Sequence, residues 1–131
     1  MSHPLFEQLP AINLTTENFD AQVFGQSNDP STPAEQRIHA VFFWGIDCPN
    51  CEVAKRLLLQ DLEQVQALDF KWFESSVYEH PELGVRFGLH GIPAFFFFKG
   101  EKKLGRISPF PGMTPFMTAL HELKGKVLKP G

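Results

Sequence analysis

The hydrophobic positions fall into short apolar runs separated by amphipathic stretches. Residues 38–44 form a nearly continuous apolar run, too uniform for a sheet edge facing water. Such a run predicts a central strand covered on both faces. Residues 93–98 predict another strongly apolar strand, with residues 103–107 as hairpin partner across a turn at Gly100. Residues 9–14 predict a short first strand. Residues 70–73, running on toward Glu74 and Ser75, predict another.

Between the strands the spacing becomes helical. Phe19, Val23 and Phe24 follow Thr15 and Thr16, either of which can cap a helix starting near Glu17. Val53, Leu57, Leu58, Leu62 and Val65 supply the apolar stripe of a longer helix, with Asp47 as N-cap and Pro49 in the first turn. Residues 80–87 suit a short helix stopped by Gly88. Thr114 can cap a last helix carrying Phe116, Met117, Leu120, Leu123 and Val127. Residues 25–36 and 108–112 have loop composition. The order is strand, helix, strand, helix, strand, helix, strand, strand, helix. It predicts an α/β domain, a mixed sheet with helices on both faces. The chain of 131 residues fits one domain, with its core over about 9–128 and an insertion-like loop at 25–36.

Composition sharpens this picture at a few points. Fourteen phenylalanines make the core unusually aromatic, and a chain this long can bury that core without metal or disulfide staples. The net charge of -3 steers the chain toward neither nucleic acid nor an anionic membrane. Lys99, Lys102, Lys103 and Arg106 form a small basic cluster that reads as a solvated edge, with partner steering as the alternative. The apolar runs are too short to span a bilayer, and residues 1–7 lack the apolar core and small-residue cleavage site of a secretory signal. The cytoplasm is therefore the expected compartment. Closed coverage of the sheet points to a monomer.

The chemistry concentrates at Cys48-Pro-Asn-Cys51, the only two cysteines of the chain. In a reducing compartment a lone pair is more often catalytic or metal-binding than structural. A structural zinc site needs about four ligands, and His39, His80 and His90 lack the usual short spacing, so no metal is expected. Two thiols at i and i+3 across a strand-to-helix junction suit reversible disulfide exchange. Cys48 would lie where unpaired backbone N–H groups and the helix dipole favour a thiolate. Cys51, one turn in, would be the more buried resolving thiol. Pro49 stiffens the turn, and Asn50 adds a polar side chain without charge. Asp47 opposes activation, since a neighbouring carboxylate raises a thiol's pKa.

At this point the chain resembles the thioredoxin family from about Leu14 to Val127. The motifs are Val41-Phe-Phe-Trp-Gly-Ile-Asp-Cys-Pro-Asn-Cys51, Phe87-Gly-Leu-His-Gly-Ile-Pro93, Phe98-Lys-Gly-Glu101 and Asn13-Leu-Thr-Thr-Glu-Asn-Phe19. The resemblance implies a thioredoxin fold with Cys48 attacking and Cys51 resolving. It implies a cis-proline at Pro93, with Ile92 offering backbone hydrogen bonds to an extended substrate and Trp44 packing beneath the site. It also implies protein disulfides as substrates and a separate donor, a flavin-containing thioredoxin reductase using NADPH or else glutathione. No dinucleotide fingerprint is present, so no bound cofactor is expected.

Several positions depart from the family pattern. Asp47 stands where Trp usually precedes the first cysteine, and Pro49-Asn50 stand for Gly-Pro. Phe42 occupies the place of a buried Asp that helps deprotonate the resolving thiol. Glu74 stands where thioredoxins commonly carry Lys. Two readings of Glu74 remain open, a substitute base for Cys51 or a carboxylate facing water at a strand end. Ser108-Pro109 replaces a Gly-containing substrate surface, and His90 is placed to flank the groove or to sit in an exposed turn. An apolar surface of Ile92, Pro93, Pro49 and Phe110 could dock a protein partner. The first functional reading is a thiol–disulfide oxidoreductase that reduces protein disulfides. A redox-silent binding or assembly protein and a disulfide oxidase or isomerase are the alternatives.

Overall fold

A computed structural model describes residues 3–24 and 37–128, apart from the side chains of 127 and 128. The expected loop at 25–36 and the place of Val127 on the last apolar stripe lie outside what is described. The elements are α1 (Pro4–Gln8), β1 (Ala11–Asn13), α2 (Phe19–Val23), β2 (His39–Trp44), α3 (Pro49–Gln60), α4 (Leu62–Ala67), β3 (Lys71–Ser76), α5 (Pro81–Arg86), β4 (Ala94–Lys99), β5 (Lys102–Ile107) and α6 (Met113–Leu128). The strands form one sheet in the order β1-β3-β2-β4-β5. β1 and β2 pair parallel with β3, while β4 runs antiparallel to both β2 and β5. The mixed sheet with helices on both faces is the expected architecture.

The uniform apolar run of β2 has the predicted physical cause. β2 lies in the middle of the sheet, and its alternating side chains enter two different cores. Ala40, Phe42 and Trp44 face α1, α3, α4 and α6. Val41 and Phe43 face α2 and α5. β4 divides the same way, with Phe95 and Phe97 on the first face and Phe96 and Phe98 on the second. The hairpin turn at Gly100 has φ +58°, and Gly88 ends α5 at φ +62°. Both values favour a residue without Cβ.

Several expectations are corrected. The amino terminus carries an unforeseen helix, α1, in which Pro4 takes the first turn and His3 Nδ1 accepts the Leu5 N–H at 3.0 Å. Its Leu5 is fully buried. The long helix expected through Val65 breaks at Asp61, whose φ/ψ of -107°/28° separates α3 from α4. Thr114 lies inside α6, which starts at Met113, so it does not cap that helix. Ahead of α2, Thr15 Oγ1 accepts the Asn18 N–H at 3.0 Å, and Asn18 Oδ1 accepts the Thr15 N–H at 2.7 Å. This reciprocal pair ties the turn ahead of the helix, but α2 itself begins at Phe19 with Asn18 as its N-cap and no side-chain cap bond, so neither Thr15 nor Thr16 caps a helix near Glu17 as expected.

Candidate functional site

A further correction lies at the site itself. Asp47 does not cap α3. It sits exposed with φ +55°, a left-handed conformation that Asp tolerates better than most residues. That turn hands the cap position to Cys48, whose Sγ accepts the Cys51 N–H at 3.1 Å. Pro49 is the first helical residue, where its missing N–H removes no intrahelical bond. Asp47, Pro49 and Asn50 are all exposed around the pair.

Cys48 and Cys51 are joined as a disulfide with their Cα atoms 5.2 Å apart. Cys48 is half-buried and Cys51 is fully buried, so solvent meets one sulfur and not the other. The Ile92–Pro93 peptide bond is cis, and the Ile92 carbonyl oxygen lies 3.8 Å from Cys48 Sγ. Pro93 is buried, and its own carbonyl accepts the Ser108 hydroxyl at 3.3 Å. Gly45 allows this close approach. A Cβ there would stand 2.8 Å from Ile92 Cδ1 and would overlap the Tyr78 ring. A groove of about 450 Å³ runs from Ile92 along Leu89, Val85 and Tyr78. His90 lines it from an exposed position. Phe110, expected on the docking surface, packs largely inward, with its ring 5.2 Å from Phe116 and 6.0 Å from Phe95.

A polar cluster lies on the α3 face of the sheet. Glu74 does not face water; it is 8% exposed. Its carboxylate accepts the Trp44 indole N–H at 2.9 Å and the Asn13 side-chain amide at 3.0 Å. Trp44 is half-buried at the end of β2. Its ring meets Phe6 at 5.9 Å between centroids and Lys55, whose Nζ stands 3.6 Å from the indole centroid. Lys55 is only 1% exposed. Its ammonium meets Glu52 at 3.2 Å, and Glu52 reaches on to His3 at 3.2 Å. Burial holds the Lys55 pKa below the ordinary lysine value, while Glu52 and Glu74 partly offset that by favouring the charge.

Lys55 is the residue that the apolar-stripe reading passed over. The stripe drawn through Val53 and Leu57 is half-buried, whereas the deeply buried face of α3 is Cys51, Ala54, Lys55 and Leu58. Those positions follow the i, i+3, i+4, i+7 spacing, so a lysine inside that series was the available signal. Phe42, at the position where the thioredoxin pattern carries a buried Asp, stacks on Phe95 at 4.6 Å between centroids.

Among solved structures the architecture has close counterparts. Thioredoxin f2 of Chlamydomonas reinhardtii superposes with a TM-score of 0.68 at 16% identity, covering 86% of this chain and 94% of that one. The Malassezia sympodialis thioredoxin Mala s 13 superposes at 0.67 with 15% identity, covering 87% and 90%. This chain has the thioredoxin fold. At these identities the likeness is one of fold. No protein-family model and no curated protein matches the sequence. Within the thioredoxin fold, the Cys pair sits at the junction of the central strand with its helix, facing the loop that enters β4. Among the described residues no helix is long and apolar enough to cross a membrane. Nor do three or more His, Cys, Asp or Glu side chains converge there as a metal site.

Proposed function

We propose that the protein is a thiol–disulfide oxidoreductase that reduces protein disulfides through the Cys48–Cys51 couple. The observation that carries this reading is the asymmetry of the pair. One sulfur is accessible beside a free groove and an N–H donor, and the other is fully buried one helical turn behind it. Reduced Cys48 attacks a substrate disulfide as a thiolate, forming a mixed disulfide and expelling the first substrate thiolate. Cys51 then attacks Cys48 Sγ, closing the intramolecular disulfide and releasing the second substrate thiolate. Two electrons pass from the pair to the substrate. The Cys51 N–H at 3.1 Å is placed to stabilise negative charge on Cys48. Ile92 and Pro93 present backbone to an extended substrate segment. Trp44 floors the site, and Asp47, Pro49 and Asn50 form its contact edge.

The pair is regenerated by a separate donor, an NADPH-dependent reductase or glutathione. The protein acts as a monomer in the cytoplasm, with no bound cofactor and no nucleic-acid or membrane partner. The test is the redox equilibrium of the pair in dithiothreitol and glutathione buffers, with thiols counted by mass-shift alkylation. A reversible two-electron couple near the thioredoxin value, about -270 mV, supports a reductase. A couple near about -120 mV moves the reading to a disulfide oxidase. Inert thiols in the folded protein would overturn the enzyme reading and leave a binding module. A Cys51→Ser variant is expected to accumulate mixed disulfides with substrate proteins, and Cys48→Ser to form none.

A further inference from the structure

Lys55 lies four residues after Cys51 on α3, so the two side chains share one face of the helix, with Cβ atoms about 5–6 Å apart. A helical side chain leans back over the turn on its amino-terminal side. The observed contacts of Lys55 follow that direction, toward Glu52 at i−3 and toward the Trp44 ring at the end of β2. Cys51 and Lys55 therefore lie on the same buried face of α3, one turn apart. Both residues are essentially sealed from solvent, at 1% and 0% exposure. A charge in such a place is expensive unless it is paired, and unpaired lysines are rarely buried this deeply. The Trp44 and Phe6 rings and Glu52 hold it, and Glu74 adds a favourable charge. Phe42, the central-strand residue facing α3 beside Glu74, is apolar, so no acid stands there to take part.

We propose that Lys55 is a positioning residue for the resolving thiol: its buried ammonium, seated on the Trp44 ring that Glu74 binds and paired with Glu52, supplies the positive charge that stabilises Cys51 as a thiolate when it releases the product. The inference rests on the dithiol exchange proposed above. In that step the Cys51 proton leaves to solvent or buffer, the thiolate attacks Cys48 Sγ, the bond from Cys48 to the substrate sulfur breaks, and the substrate leaves as a thiolate. Lys55 keeps its proton throughout. Among the described residues the titratable groups facing this space are Glu52 on the same helix, Glu74 from β3 and, behind Glu52, His3 ahead of α1. With Lys55 neutralised, the two carboxylates alone oppose a thiolate at Cys51. With Glu74 neutralised, the lysine acts less opposed. The two substitutions therefore move the thiol in opposite directions, which packing alone would not do.

The experiment has two readings in the full chain. Thiolate absorbance of a Cys48→Ser background titrates Cys51 alone. Rapid-mixing kinetics of the reduced protein with oxidised glutathione follows mixed-disulfide formation and release against pH. Lys55→Met is expected to raise the Cys51 midpoint by about one pH unit and to slow release about tenfold at neutral pH, with recovery at alkaline pH. Lys55→Arg, which keeps the charge, is expected to stay near the parent. Glu74→Gln is expected to lower the midpoint, and it tests the same claim with the lysine in place should the methionine variant not fold. A His3→Gln control separates the imidazole. Unchanged midpoints in Lys55→Met and Glu74→Gln would overturn the proposal, as would slower release in Glu74→Gln, the result expected if that carboxylate were the base for Cys51. If no variant, nor the parent, forms a mixed disulfide at Cys48, the dithiol reading itself fails, and that outcome is distinct from the others.

Discussion

The two faces of the sheet solve the same burial problem with different chemistry. On the α2 and α5 side, Phe19, Phe43, Phe73, Phe96 and Phe98 pack with aliphatic neighbours, and Phe87 closes the cluster. Ring contacts such as Phe43–Phe96 at 5.6 Å and Phe19–Phe87 at 4.9 Å are tilted or edge-on, the arrangements aromatic quadrupoles favour. On the α3 side a core no less aromatic, with Phe42, Phe70, Trp72, Phe95, Phe97 and Phe116 buried, also admits Lys55 and Glu74 beside Trp44. An ion buried without need is a stability liability, since apolar replacements of such pairs are often neutral or stabilising. The α2 and α5 face, whose core cluster is apolar throughout and is here termed the aromatic face, thus serves as foundation, and the α3 face adds charges on the side of the sheet where the proposed chemistry takes place.

The strongest way to break this division is to cut a ring from the aromatic face. Phe96→Ala should cost about 3–5 kcal/mol in denaturant unfolding, because it removes a fully buried ring at the centre of the cluster. The redox equilibrium of the surviving folded fraction should not move. A shifted potential would mean that the two faces are coupled.

The charged face is sharpened by pH. Burial lowers the Lys55 pKa in the folded protein relative to the unfolded chain, which holds its proton up to about 10.5. Between the folded value and that limit the unfolded state binds more protons, so this group makes stability rise with pH. Below the folded value both states are protonated, and the burial cost is constant. The parent should therefore gain stability relative to Lys55→Met as pH climbs toward 10.5, in chemical denaturation run at a series of pH values. A constant difference across that range would mean that the ammonium is not desolvated.

Smaller effects are expected at the border of the aromatic face. Thr15→Ala removes the acceptor for the Asn18 N–H and should cost about 1 kcal/mol, read as a shifted denaturation midpoint at unchanged slope. Asp20→Ala breaks the two-bond contact with Arg86 at 2.7 and 3.3 Å. Both partners are well exposed there, so the loss should stay within about 0.2–1 kcal/mol and fade in high salt.

Much of this molecule was legible along the chain. The uniform run at β2 announces a central strand, because only a strand covered on both faces can avoid alternation. Gly88 and Gly100 mark their helix end and turn through φ values that other residues resist. The Cys pair between an apolar strand and a helix marks the candidate site. Less legible was α1, since five residues carry little periodic signal and its anchor, Leu5, is buried only by tertiary packing. The cap of α3 was misplaced for a related reason. Asp is the better cap by local preference, yet the backbone at Asp47 turns left-handed and Cys48 takes the place.

The sequence by itself determined which segments are apolar enough to be covered and where the two sulfurs stand relative to a strand and a helix. These are properties of composition and spacing that no partner segment can change. Tertiary structure alone decided which charges gather around Trp44 on the face of α3 that carries Cys51. Glu74 and Lys55 lie on different elements, and neither residue's place in the chain shows that the two share one space. Only the packing of α3 across β2 and β3 desolvates them together with Trp44, and desolvation is what turns two ordinary charges into a local field.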